Sequence, residues 1–219
     1  RSIIATVSEL RAMGGSAHCA GDRLKAIDLA STSVSDSQLA YLSGLTGLEK
    51  LDLEVPQIGD LGLAAVQKMS GLKELNLNYT TVSDAGLEKV AALKELQFLG
   101  IGGTLVEGPG LAHLGALKNL QELDIAGARV NDDALAQIGK IASLQRLRLS
   151  YTDVSDSGLK DLASLSNLEL LDLSGVMNYE EALAAHLTHS QVECFGLTAT
   201  TPQMPAATKI HATIRRLRP

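Results

Sequence analysis

LKELNLNYTTVSDAGLEKVAALKE, residues 72–95, changes its apolar spacing halfway along. In the first part Leu75 and Leu77 share one face of an extended strand, while Glu74, Asn76 and Asn78 share the other, as the two-residue period of a strand requires. In the second part Leu87, Val90 and Leu93 recur at every third step, which buries one stripe of a helix or helical turn. Ser83 and Asp84 between them make a helix start, because a serine caps free amides and a carboxylate in the first turn meets the positive end of the helix dipole. One short strand and one short helix are written into 24 residues.

The same row recurs on both sides without an insertion. Upstream stand LKAIDLASTSVSDSQLAYLSGLTG (24–47) and LEKLDLEVPQIGDLGLAAVQKMSG (48–71). Downstream stand LQFLGIGGTLVEGPGLAHLGALKN (96–119), LQELDIAGARVNDDALAQIGKIAS (120–143), LQRLRLSYTDVSDSGLKDLASLSN (144–167) and LELLDLSGVMNYEEALAAHLTHSQ (168–191). An eighth row opens as VECFGLTATTP at Val192 and breaks off. A strand and a helix cannot bury their apolar stripes alone, so the rows must stack, with the strands in one parallel sheet and the helices behind it. Helices are wider than the strand spacing of roughly 4.8 Å, so the stack bends into an arc and the inner sheet face stays open to solvent.

The row pattern LxxLxLxxTxVSDxGLxxLxxLxx resembles the leucine-rich repeat family in its 24-residue form, from residue 24 to about 200. Its T-x-V-S-D-x-G-L part is similar to the bacterial type of such repeats and to repeats that follow F-box segments. The resemblance implies an α/β solenoid, with the parallel sheet on the concave face and helices on the convex face. It also implies recognition of a protein or peptide on the concave face, and brings no shared catalytic residues. The threonine column (Thr32, Thr80, Thr104, Thr152, Thr200) falls where the chain leaves each strand, and its hydroxyls are expected to bond the backbone of neighbouring turns. Pro56, Ala128 and Val176 interrupt that column.

A solenoid exposes raw apolar layers at its ends and needs caps. Residues 1–23 read as an N-terminal capping helix, with Ile3, Ile4, Val7 and Leu10 on one side, followed by a turn and a preliminary strand. Residues 24–191 are the seven repeats. Residues 192–219 read as a partial eighth repeat and a closing helix, in which Ile210, Ile214 and Leu217 keep helical spacing.

Apolar residues make up 45% of the 219, yet there is no Trp and only two Phe and four Tyr, which suits layered aliphatic packing. A net charge of −6 argues against nucleic acid, since phosphate neutralisation needs a basic face, and mildly favours basic partners. No apolar run is long enough to span a membrane, and RSIIATV lacks the apolar core of a signal peptide, which leaves the compartment open. Cys19 and Cys194 lie near opposite ends of the solenoid and read as free thiols in a monomer.

No enzyme is expected. None of the five histidines lies in a metalloprotease motif or beside a nucleophile with an orienting group. His186 and His189, with Glu180, Glu181 or Cys194 near, have a metal-like spacing but no clear third ligand, so neither a metal nor another cofactor is expected. The glycine-rich stretch at 100–110 fails as a phosphate loop, because Leu105 and Pro109 stand where a glycine and a lysine are needed. Ile101 falls in the core column, so Gly100 and Gly102 belong to the open face of a strand.

That open face can be drawn from the rows. Its third places run Ala26, Lys50, Glu74, Phe98, Glu122, Arg146, Leu170, and its fifth places Asp28, Asp52, Asn76, Gly100, Asp124, Arg148, Asp172. They predict an acidic end partly neutralised by lysines. A centre follows where Phe98 and Tyr79 border a notch lined by Gly100 and Gly102, then a charged patch of Glu122, Asp124, Arg146 and Arg148 beside Tyr151. These nine residues are the candidate ligand contacts, for a protein or peptide in the first place and for a glycan or small ligand in the notch as the alternative.

Overall fold

The computed structural model describes residues 3–176, 192–195 and 213–216. Helix α1 (Ile3–Ala12) opens the chain and buries Leu10 completely, with Val7 against the same core. It leads into strand β1 (Ser16–Ala20), which pairs antiparallel with β2 (Arg23–Asp28). From β2 each row repeats one strand at a 24-residue interval: β3 (Lys50–Asp52), β4 (Glu74–Asn76), β5 (Phe98–Gly100), β6 (Glu122–Asp124), β7 (Arg146–Arg148) and β8 (Leu170–Asp172). Strands β2 to β8 pair in parallel and in register, so that Leu51, Leu75, Leu99, Leu123, Leu147 and Leu171 form one column.

Behind the sheet lie short helical segments: α2 (Asp36–Leu39), α3 (Leu63–Val66), α4 (Asp84–Val90), α5 (Asp132–Ile138) and α6 (Asp156–Leu159). Row 4 carries a 3-10 helix over Pro109–Ala116 instead, and its start has Gly108 where rows 1, 2, 3, 5 and 6 have aspartate. The core runs between the two layers. In row 3 Leu72, Leu75, Leu77, Val82, Leu87, Val90 and Leu93 are at most 1% exposed, and row 4 repeats this with Leu96, Leu99, Ile101, Val106, Leu111, Leu114 and Leu117. Each such side chain removed from water contributes roughly 1.5–3 kcal/mol before entropy is counted, so no one row is decisive and the stack is.

Polar side chains tie row 1 to row 2, row 2 to row 3, row 3 to row 4 and row 5 to row 6. Asp60 accepts hydrogen bonds from the Ser83 amide (2.9 Å) and hydroxyl (2.6 Å) one row on, and Asp132 does the same for Ser155 (both 2.7 Å). Asp36 accepts from the Gly59 amide (2.8 Å), and Asp84 from the amides of Glu107, Gly108 and Gly110. The Ser-Asp pair does more than start a helix: serine caps its own helix, as Ser83 and Ser155 do, while aspartate holds the neighbouring row.

Two expectations are corrected. The threonine hydroxyls bond within their own row: Thr32 donates to Leu29, Thr80 to Leu77, Thr104 to Ile101 and Thr152 to Leu149, at 2.6–2.7 Å. The residue before each threonine has positive φ (Ser31, Tyr79 and Tyr151 at 57°, Gly103 at 63°), which folds the chain into a tight turn that brings the hydroxyl onto the carbonyl three residues back. Ala128 and Val176, 2% and 6% exposed, fill the same interior place with methyl groups, whereas in row 2 Val55 turns inward and Pro56 outward.

Residues 213–216, expected in a closing helix, form strand β10 (Thr213–Arg216), antiparallel to β8 and to β9 (Val192–Phe195). The opening strand of the eighth row therefore does not continue the parallel series, and β10 lies between β8 and β9. Strand β8 would otherwise present a row of unpaired backbone groups, and the β-branched pair Thr213 and Ile214 suits an extended partner for it. His186, His189, Glu180, Glu181 and Thr200 lie outside the described residues.

Candidate recognition surface

The parallel register sets the open face. Phe98 has Glu74 and Glu122 as strand neighbours, and Gly100 has Asn76 and Asp124. Glu122 is followed by Arg146, and Asp124 by Arg148. Tyr79 and Tyr151 stand just past the strands of rows 3 and 6, with Gly103 and Gly127 between them at the same place in rows 4 and 5.

The charged patch closes on one carboxylate. Glu122, whose side chain is 12% exposed, takes Arg146 Nε on Oε2 and Arg148 on Oε1, both at 2.7 Å, and Arg148 also lies 3.6 Å from Asp124. Two guanidinium groups on one largely enclosed carboxylate fix the arginine side chains against it. At the other end Glu49 sits between Lys25 and Lys73, the latter at 2.9 Å, and its carboxyl is lowered from 4.5 to about 2, first by the hydrogen bond from Lys25 and then by that from Lys73. Lys50 pairs with Glu74 at 2.8 Å, and this hydrogen bond raises its ammonium above the ordinary lysine value.

The aspartate column of the open face has a structural use as well. Asp28, Asp52, Asp124 and Asp172 each accept a hydrogen bond from the amide two residues on (2.9–3.1 Å), and Asn76 does the same for Asn78. These bonds bend the chain out of the strand. Row 4 has Gly100 at this place, so the Gly102 amide turns instead to Asn78 of the preceding row at 2.6 Å.

That substitution removes the expected notch. A Cβ on Gly100 would meet the amide groups of Asn76 and Asn78 at 2.9–3.1 Å, and one on Gly102 would meet the Ala126 carbonyl at 2.7 Å and Asn78 at 3.2 Å. Gly100 and Gly102 are buried beneath these neighbours, and no open glycine-lined slot lies beside the half-buried Phe98. Asn76 and Asn78 belong to the surface that the residue pattern assigned to glycines. Their signal was the absence of a side chain one row on.

Tyr79 covers Gly103, with Cδ1 2.7 Å from where a Cβ would stand, and Tyr151 covers Gly175 at 2.6 Å. Both rings remain exposed, at 65% and 53%. Of the nine candidate contacts, the structure brings Glu122, Asp124, Arg146 and Arg148 into one network, sets Phe98 beside it, and places the two tyrosines along the rim.

Residues 108–215 match a family model described as the leucine-rich repeats of FBD-associated F-box protein At5g56370, and residues 70–91 match a leucine-rich repeat model. The chain is a leucine-rich repeat protein. Its α/β arc is similar to an internalin (inlF) of Listeria monocytogenes, with 23% identity and a TM-score of 0.54 over 65% of this chain and 38% of that one. It is also similar to the receptor kinase HAESA of Arabidopsis in complex with the peptide hormone IDA and the co-receptor SERK1, with 21% identity and a TM-score of 0.56 over 74% of this chain and 28% of that one. A second HAESA structure, of the ectodomain with an N-terminally extended IDA peptide, gives 20% identity and a TM-score of 0.59 over 80% and 31%. This leucine-rich repeat protein thus spans under two fifths of these three chains, and the likeness shows the shared fold. No curated protein matches its sequence.

Among the described residues no group of three or more His, Cys, Asp or Glu is placed to hold a metal ion. No described helix of this leucine-rich repeat protein is long and apolar enough to cross a membrane.

Proposed function

We propose that this leucine-rich repeat protein is a non-enzymatic recognition scaffold that binds a protein or peptide on the concave sheet face. Its contacts are centred on Phe98, Tyr79 and Tyr151, with Glu122, Asp124, Arg146 and Arg148 as a preformed polar border. The observation that carries this reading is the backbone of the tyrosines. A tyrosine at φ 57° costs on the order of 1 kcal/mol, while glycine fills the same place without that cost in rows 4, 5 and 7. Two strained residues thus display large rings on one rim of the open face, and tyrosine and phenylalanine are among the types enriched at protein interfaces. HAESA, on the same fold, is seen with a peptide hormone, which favours a peptide over a rigid surface as the partner.

The arginine pair is held by Glu122, so it supplies orientation and exclusion of wrong partners more than affinity. The test is retention of a partner by the immobilised protein and by two variants. Phe98→Ala combined with Tyr79→Ser should abolish retention, and Leu61→Ser, on the convex side and 81% exposed, should leave it intact. Loss with Leu61→Ser and none with the concave pair would assign binding to the helices instead.

A further inference from the structure

The charge on the concave face narrows the class of partner, given the reading of that face as the recognition surface. In rows 1–3 Lys25 and Lys73 both reach Glu49, and Lys50 reaches Glu74. Asp28, Asp52 and Glu54 are carboxylates in excess of those pairs, and Asn76 donates to both Asp52 and Glu54. In row 4 the places from Gln97 through Phe98 to Gly102 carry no charge. In rows 5–7 the positive charges of Arg146 and Arg148 are turned onto Glu122 and Asp124, and Asp172 follows one strand beyond Arg148. Over strands β2 to β8 the face is therefore acidic, then apolar around Phe98, then neutral to acidic.

We infer that the occupant is an extended peptide laid across the strands, with an apolar side chain on Phe98 and lysine or arginine on both flanks. Asp52 and Asp172 are five strand spacings apart, roughly 24 Å, which an extended chain of about seven residues covers. A peptide with acidic flanks would meet carboxylates at both ends and no uncommitted arginine or lysine pair among the residues named, so like-charge repulsion selects against it.

The test is selection from a displayed library of nine-residue peptides with a fixed central leucine and eight randomised positions, followed by affinity measurements on the selected sequences. The expected result is enrichment of lysine and arginine on both sides of the leucine. Affinity should fall with added salt, and should drop about tenfold in Asp52→Asn/Glu54→Gln. Selected peptides with neutral or acidic flanks, or no enrichment over the starting library, would overturn the inference. Peptides without basic bias that are lost in Phe98→Ala would overturn it while leaving the concave face as the binding surface. Peptides indifferent to Phe98→Ala but lost in Leu61→Ser would overturn both.

Discussion

Ala134 Cβ stands 3.0 Å from the place where a side chain on Gly108 would begin. Rows 2, 3, 4 and 6 have glycine at the place of Ala134, and each follows a row with aspartate at the place of Gly108. A Cβ on Gly62 would meet Asp36 Oδ1 at 2.5 Å, and one on Gly158 would meet Asp132 Oδ1 at 2.6 Å, while Gly86 and Gly110 are crowded by Asp60 and Asp84. Where the aspartate is missing, at Gly108, the next row carries a methyl group. In rows 2 to 6 the glycine of the repeat thus accompanies an aspartate one row earlier.

Gly158→Ala should therefore cost about 2 kcal/mol by overpacking. Asp132→Gly should cost a similar ~2 kcal/mol, because the Ser155 amide and hydroxyl lose their acceptor. The double variant should be less destabilised than the sum by under about 1 kcal/mol, since the carboxylate no longer crowds the new methyl while the Cα of residue 132, at 2.7 Å, still does. Urea denaturation of the four proteins gives the coupling, and strict additivity would show that the two residues do not share space.

Acid should weaken the N-terminal rows through Glu49. Its carboxyl titrates at about 2 in the folded protein against 4.5 ordinarily, so its contribution is present above 4.5 and is lost as pH falls toward 2. Glu49→Gln should flatten that part of the stability profile, measured as urea midpoints between those two values. An unchanged slope in the variant would mean that the two lysines do not hold the carboxylate.

Glu122 serves two arginines, each of which has one main partner. Glu122→Ala should therefore destabilise by about 1–2 kcal/mol, while Arg146→Ala leaves Arg148 on the carboxylate and should cost under about 1 kcal/mol. Chemical denaturation of both variants checks the order. Arg148→Glu, which would set three carboxylates together, is for this reason a poor probe of binding.

The glycines at the rim should differ in their tolerance of alanine. Gly127 has φ 67° and only the Gly103 amide nitrogen, at 3.9 Å, near a new Cβ, so Gly127→Ala should cost about 1 kcal/mol, from backbone strain alone. Gly103→Ala adds contact with the Tyr79 ring at 2.7 Å and should cost more. In a Tyr79→Ser background the two should become equal in thermal or urea melts, and a persisting difference would show that the ring is not what covers Gly103.

Much of the architecture was legible because apolar columns repeat in register: the seven strands from Arg23 to Asp172 and the buried leucines follow from spacing alone. The order of residues on the open face was legible for the same reason, and Phe98, Glu122 and Arg146 are strand neighbours as the rows place them. What periodicity does not encode is which of two adjacent rows a short polar side chain will choose. Thr80 turns to its own row because Tyr79 has positive φ, whereas Asp84 turns to the next row, where amides of the row 4 turn point at it. The notch failed on the same point: Gly100 leaves space, and Asn78 from the preceding row takes it. The antiparallel β10 was hidden because Ile210, Ile214 and Leu217 fit a helix, and only the open edge of β8 gives Ile214 its extended partner, Leu171.

Recognition on the concave face is tested most directly by where a selected peptide touches the protein. Amide chemical-shift mapping during titration should show the largest changes at Tyr79, Phe98 and Tyr151 and in the strands between them, with α4 and α5 unmoved. Changes confined to α4, α5 and the Pro109–Ala116 helix, with Phe98 silent, would contradict it.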